Sequence, residues 1–418
     1  MGTKAKRVFM LPVLLLILAF ISADPYSTFP ISNYFMDMVL WIIILWQFNR
    51  ERIRNRIGLF SGDYRIVGIY IVWALIGCFR GALVADNYWE YKNWMTSSCV
   101  VLFPLCVYAF NTPETIRRTF SLWLRYAIPA FFLFFVFFIT PRQQYFGPVY
   151  FLACFLPIIN KRGWKIVFVI ILIFFLTYDI AGQRSQFLKA LMTACIVLGC
   201  LLRRIIGDNL IRLGHASLIM LPLLLLTLGI TGVFNIFADT AENQSGKYTS
   251  SKEGESDAAA DTRTFIYYEV INSAIKNDYV LMGRTTARGN DTGAFSYYSY
   301  EMKSVHDGKN IKEERSRNEL CFLNIFTWLG LIGMLLYIGI YLRAAYLGVY
   351  KSKSYFVKMA GIYTAFNFAY GWVENITDFD ILNVTYWIFI SICLSPKFRE
   401  MSDDDFIKWY QGIFVWEK

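Results

Sequence analysis

Charge is what this sequence has least of. Asp, Glu, Lys and Arg make up 17% of its 418 residues, against roughly 25% in a soluble domain. Hydrophobic residues reach 56% and aromatic residues 18%, and mean hydropathy is +0.42. These figures exclude a disordered chain, a fibrous chain and an ordinary cytosolic enzyme. Histidine is nearly missing, with only His215 and His306, so a histidine-based metal site is not expected. The eight cysteines (78, 99, 106, 154, 195, 200, 321 and 393) are scattered through apolar segments without a CxxC pair. Neither zinc nor a disulfide framework is expected from that spacing. No repeat of fixed period is present, and the halves are not alike, so the inverted-repeat sign of a transporter site is lacking.

Long apolar runs are what the chain does have. A membrane helix needs about 20 apolar residues. Twelve runs qualify: 8–22, 32–48, 66–85, 94–110, 119–139, 145–159, 164–180, 185–202, 215–236, 319–342, 355–372 and 380–395. The expected fold is an all-α, polytopic bundle of about twelve membrane helices. The first run has an alternative reading as a signal peptide, with Lys4, Lys6 and Arg7 before the apolar stretch and a small residue at Ala23. Ile21 is large for that reading.

Orientation follows from the basic residues. With the N-terminus inside, the cytoplasmic segments hold twenty-four Lys and Arg, while the short outer loops hold only Lys92, Arg142 and Arg184. This asymmetry accounts for the net charge of +10 without nucleic acid as a partner. Trp46, Trp89, Trp94, Trp164 and Trp372 fall near run ends, as interfacial aromatics do. The chain therefore divides into nine spans (1–236), a large extracytoplasmic loop (237–318), three more spans (319–395) and a cytoplasmic tail (396–418).

Within the large loop, Glu242–Thr262 reads as a linker, too polar and small to pack. Phe265, Tyr268, Ile271, Ala274 and Ile275 then recur at helical spacing, with Asp261 and Thr262 as potential caps. Ser316 and Glu319 have capping-box spacing ahead of the tenth span.

Ionisable groups at membrane depth are costly and mark function. Asp37 lies in the outer half of the second span, and Arg80 near the outer end of the third. Asp179, Arg184 and Lys189 surround the outer junction of the seventh and eighth. Arg125 lies near a cytoplasmic end and is expected to snorkel. The start of the eighth span offers free N–H groups beside Arg184, a combination suited to a phosphate. The alternative is an interfacial arginine. Arg263, Arg284, Arg288, Arg315 and Arg317 add positive charge in the large loop, where Asp307, Glu313 and Glu314 are acids able to balance it.

Three stretches carry a family resemblance: GQRSQFLKALMTA at 182–194, Arg263 followed by a helix and NDYVLMGR at 277–284, and RNELCFLNIFTWLGLIGMLL at 317–336. With the many spans and the large loop before the last few, the chain resembles the O-antigen polymerase and O-antigen ligase superfamily of bacterial envelopes. The resemblance implies an inner-membrane glycosyltransferase whose donor is an undecaprenyl-pyrophosphate-linked oligosaccharide in the outer leaflet. It implies no metal or other cofactor, inversion at the anomeric carbon, and a possible chain-length regulator as partner.

Arg184 and Arg263 map onto the pyrophosphate-binding arginines, and Arg80, Arg288, Asn318 and His306 are further candidate contacts to substrate. Arg317 stands where the family often has histidine. Arginine cannot act as the base, so Glu319, Glu314 and His306 are candidates for the proton, and Arg317 fits a pyrophosphate or sugar contact. Polymerase is favoured over ligase because the motifs are loose and polymerases are the more divergent group. A lipid-linked oligosaccharide flippase and a non-enzymatic sensor are the competing readings.

Overall fold

An apolar chain with no water to bond its backbone folds as helix, where each N–H finds a carbonyl four residues back. In the computed structural model, which describes residues 10–22, 34–135, 143–177, 184–230, 262–292 and 314–415, most of the described residues do so. The helices are α1 (Met10–Ile21), α2 (Tyr34–Arg54), α3 (Arg65–Val84), α4 (Tyr88–Val101), α5 (Pro113–Leu122), α6 (Gly147–Cys154) and α7 (Arg162–Thr177). They continue with α8 (Arg184–Leu201), α9 (Asp208–Ile230), α10 (Thr262–Lys276), α11 (Cys321–Lys351), α12 (Tyr355–Tyr370), α13 (Ile381–Leu394) and α14 (Asp403–Gln411). Two two-residue strands, β1 (Asn290–Asp291) and β2 (Glu314–Arg315), pair antiparallel with Asn290 opposite Arg315.

Helix occupies part of each of the twelve apolar runs. Gly62–Val84, Asp208–Leu228 and Cys321–Lys351 are long and apolar enough to cross a membrane alone, and Tyr88–Ala109 with Pro113–Leu133 makes a fourth if that bent pair is one span. The bend is 114° and falls in the short gap between the runs 94–110 and 119–139. Pro104 lies in a 3₁₀ turn at Phe103–Leu105 and Pro113 opens α5. Proline has no N–H to extend a helix behind it.

Helix α13 is buried along its whole length, which is why its sequence is apolar all round. Helices α6, α11 and α12 pack around it. Close contact between α11 and α12 is made possible by Gly348 and Gly361: a Cβ on Gly348 would come within 2.8 Å of the Gly361 Cα. Small residues let apolar helices approach in this way. Helix α9 packs mainly on α12 and leaves Leu213, Met220 and Leu224 exposed, the arrangement of a lipid-facing helix.

The helices end in two polar layers. At the basic end, Arg343 bonds Asp63 at 2.6 Å, Arg399 also binds Asp63, and Lys358 bonds Asp208 at 2.7 Å. The tail is a packed element. Helix α14 has a capping box between Ser402 and Asp405, and Trp409 Nε1 donates to the Pro113 carbonyl at 2.9 Å. The other end carries the 277–292 segment, β2 and the connection 371–380. It is called the loop end below.

The loop end rests on a break in α11. Gly330 has φ +71° and ψ −173°, so two helical pieces meet there without a continuous backbone ladder. The 277–292 segment fills the gap. Arg284 N donates to Thr327 O at 2.7 Å, Leu331 N to Val280 O at 2.8 Å, and Trp73 Nε1 to Leu329 O at 2.9 Å. A Cβ on Gly330 would come within 2.2 Å of Leu281 O.

Two local expectations are corrected here. The face of α10 that packs inward is Ile266, Val270 and Ala274, while Tyr268, Ile271 and Ile275 are exposed. The Ser316–Glu319 capping box does not form. Leu320 precedes α11 without a side-chain cap, Glu319 is exposed, and Asn324 does the tying instead, accepting from Asn318 N at 2.6 Å and donating to Asn318 O at 2.9 Å. Asp261 and the linker 242–261 lie outside the described residues.

Gly330→Ala should therefore destabilise the protein by about 2 kcal/mol or more, from left-handed backbone strain plus the clash. Gly163→Ala, with nothing within 4 Å of the added Cβ, should not. Thermal unfolding in detergent compares the two, and equal melting of Gly330→Ala and wild type would contradict this view of the break.

Candidate functional site

The loop end brings together α8, α10, β2 and the connection between α12 and α13. Helix α8 begins at Arg184. Its Ser185 meets Tyr370, whose hydroxyl lies 3.0 Å from Ser185 Oγ and 3.2 Å from the Ser185 carbonyl. The next residue, Gln186, accepts a short hydrogen bond from Tyr150. Helix α10 carries Arg263 in its first turn, and Tyr267, one turn on, donates its hydroxyl to the Trp372 carbonyl at 2.6 Å. Helices α8 and α10 thus hold neighbouring residues, Tyr370 and Trp372 respectively. The side chains of Arg184 and Arg263 themselves lie outside the described part, as does His306.

The connection 371–380 is the seam of this end. Cys321 N donates to Glu374 O at 3.2 Å, joining the seam to the start of α11. Asn324 Nδ2 reaches Asn375 Oδ1 at 3.3 Å. Phe379 is buried, stacked on Trp41 at 5.0 Å and edge-on to Phe103. Asp380 caps α13 by accepting from Asn383 N at 2.7 Å. Lys189, buried one turn inside α8, interacts electrostatically with Glu374 and Asp380 and lies 5.9 Å from the Tyr370 ring centre.

The other arginines have partners. Arg317 Nη1 bonds Asp378 Oδ1 at 2.7 Å, and its guanidinium lies 5.9 Å from the Trp328 ring centre. Arg80 donates to the carbonyls of Met282 and Gly283 at 2.7 and 3.2 Å; it is a strut from α3 to the loop covering the α11 break. Arg288 forks onto Glu314, with Nε–Oε2 at 2.8 Å, and lies 3.8 Å from Glu90. Arg284 reaches Glu314 at 3.1 Å and Asp291 at 2.5 Å. Arg315 pairs with Glu269 at 3.9 Å. Asn318, buried, donates to Asn290 Oδ1 at 3.1 Å, so it links β1 to the start of α11.

These pairs sort the candidates. Glu314 is held by two arginines, and Arg288 is its partner, so both are committed to fastening the loop. Arg80 and Asn318 are likewise engaged in joining elements. Asp378 lies on the seam and Arg317, just before α11, is bonded to it, and both are about one-third exposed. Glu319 is exposed. Sequence reasoning passed over Glu374, Asp378 and Asp380. Their signal was the run ENITDFD at 374–380, three acids in a short connection on the side that otherwise gathers arginines. Among the described residues no group of three His, Cys, Asp or Glu is placed to hold a metal ion. Comparison with protein-family models and with curated proteins finds no match.

Electrostatics hold the loop in place. Burial pushes the Asp291 carboxyl up, but hydrogen bonds from Asn277 and Arg284, with the charges of Arg284 and Lys276, outweigh it and hold the group below its ordinary value. A carboxyl lowered on folding adds stability above its unfolded pKa of about 3.9, and loses that contribution as pH falls through the folded value. Limited proteolysis should therefore leave 277–292 protected down to about pH 4 and cut it only below. Release of the segment at pH 6 would contradict the pairing. Glu314→Gln leaves Arg284 and Arg288 without their shared, nearly buried acid. It should cost roughly 3 kcal/mol, read as a lower melting temperature and cleavage of the same segment at neutral pH.

Proposed function

We propose that this protein is a glycosyltransferase of the bacterial inner membrane, crossing it about twelve times with both termini in the cytoplasm. Its loop end faces outward and joins undecaprenyl-pyrophosphate-linked oligosaccharide repeat units into a longer surface polysaccharide. One observation carries the reading: α8 and α10, each with an arginine in its first turn, are fastened to the same stretch, 370–372. A helix start adds free N–H groups and partial positive charge to a guanidinium. Two such starts on one seam suit a diphosphate.

The chemistry asks little else of the protein. A sugar hydroxyl attacks the anomeric carbon, and the lipid pyrophosphate departs with the bonding electrons. Negative charge grows on the diphosphate as the bond breaks, and fixed cationic donors stabilise that charge more than they stabilise the bound donor. An apolar cavity of about 580 Å³ lies between α2, α3 and α4, lined by Ile42, Trp46, Ile71, Leu75, Trp94 and Leu102. At its Ser98 wall, Ser98 Oγ lies 3.1 Å from Thr286 Oγ1 of the covering loop. The cavity also reaches Asn49 and Arg52 toward the basic end, and its apolar walls would suit an isoprenoid chain.

Arg184→Ala and Arg263→Ala should each lower elongation by about 10²–10³-fold, the typical effect of removing one donor from a developing anion. Membrane insertion and protein level should stay normal. The readout is product length on a gel, in cells and from purified protein given a lipid-linked repeat unit. Unchanged chain lengths would sink the reading, and repeat units trapped on the cytoplasmic side would point to a flippase.

A further inference from the structure

Glycosyl transfer from a pyrophosphate donor releases a proton from the acceptor hydroxyl, and Arg317 cannot take it. We propose that Asp378 is the proton acceptor, and that Arg317 is the residue that positions it. The inference rests on the glycosyl-transfer reading above.

The acids of the loop end separate by what holds them. Glu314 lies between Arg284 and Arg288, and Asp291 is bonded by Arg284 and Asn277. Glu269 accepts from Thr292 and pairs with Arg315. Glu90 accepts from Asp86 N at 2.9 Å and lies near Arg288. Asp380 caps α13, and Glu374 and Asp380 both face Lys189. Glu319 is exposed, with no described partner to aim it.

Asp378 differs from each of these in having one oxygen fixed and the other open. Its Oδ1 accepts from Arg317 Nη1 at 2.7 Å and from Asn375 Nδ2 at 3.3 Å. Its Oδ2 accepts no hydrogen bond among the described residues. Its backbone carbonyl is held by Asn383 Nδ2 at 2.8 Å, and the next residue, Phe379, is locked between Trp41 and Phe103. The carboxylate is therefore held by its neighbours yet 38% exposed, on the seam that α8 and α10 grip. A general base needs both an aimed lone pair and access to the reacting hydroxyl.

Arg317 then has a physical role in place of a histidine: it does not remove the proton but aims the carboxylate that does. The charged and titratable groups around Asp378 are Arg317, the adjacent Asp380, and Cys321 at the start of α11, with Lys189 beyond Asp380. In the step itself, the acceptor oxygen bonds to the anomeric carbon and the carbon–oxygen bond to the diphosphate breaks. The electron pair goes to the diphosphate and the hydroxyl proton goes to Asp378 Oδ2.

The test uses the purified full-length protein with a synthetic lipid-linked repeat unit. Asp378→Asn keeps the hydrogen bond to Arg317 but cannot accept the proton. It should lower kcat by about 10²–10⁴-fold with KM little changed, and should abolish the fall in wild-type activity toward acid pH. Asp378→Glu should recover part of kcat and restore that acid limb, which a loss of folding would not do. Arg317→Gln should lower kcat and move the limb. An Asp378→Asn protein with near-wild-type kcat, or with the wild-type acid limb, overturns the assignment. If Arg184→Ala and Arg263→Ala are inactive while Asp378→Asn is active, only the proton acceptor is wrong. If the wild-type protein makes no longer product, the glycosyl-transfer reading falls and Asp378 falls with it.

Discussion

A helix that breaks where water is scarce must have its freed backbone groups bonded by something else. The break at Gly330 sets that demand, and the 277–292 segment meets it, with Val280 O on Leu331 N and Arg284 N on Thr327 O. The same docking brings Arg284 and Arg288 to Glu314 and fixes β1 against β2. It also leads back to α10, which ends just before this segment. The docking of α10 on the seam through Tyr267 therefore follows from one glycine inside α11.

Charge pairing then divides the loop end into a fastening half and an open half. On the side of α3 and α4, Arg80, Arg284 and Arg288 are bonded to carbonyls, Asp291 or Glu314. Their contacts hold the covering segment to α3, to α4 and to itself. On the side of α8 and α12 the polar groups lie on the seam 371–380 and on Tyr370 just before it. There a tyrosine hydroxyl from α10, a serine from α8, and Arg317 meet a connection rich in acids. Rigid fastening next to a half-exposed polar seam is what a site for a charged substrate requires, because aimed groups need not reorganise as charge develops.

Much of this was legible in the sequence, and the rest fails for identifiable reasons. Apolar runs and the gathering of Arg and Lys at one end depend on composition alone, so the helices and the basic end could be read directly. The break between α4 and α5 was legible as the gap between the runs 94–110 and 119–139, but its 114° angle was not, because composition carries no direction. The inner face of α10 was misjudged because its partners, Leu320, Leu323 and Phe326 on and before α11, are remote in sequence and select Ile266 and Val270 over Tyr268 and Ile271. The Ser316–Glu319 spacing was a genuine cap pattern, but Asn324 competes for the same backbone and wins. The resemblance singled out Arg184, Arg263 and Arg317 and gave no hint of Asp378, because its motifs end before the connection between α12 and α13.

On the proposed reading, the arginine-bearing starts of α8 and α10 bind one diphosphate together. Direct binding tests it: a short polyprenyl pyrophosphate titrated into purified wild-type protein, the two single Arg→Gln variants at 184 and 263, and the double variant. Each single variant should bind at least about ten-fold more weakly, a loss near 1.4 kcal/mol. The double variant should lose less than the sum of the two, because both groups act on one ligand. Equal affinity in all four proteins, or strictly independent losses at two separable sites, would contradict the account.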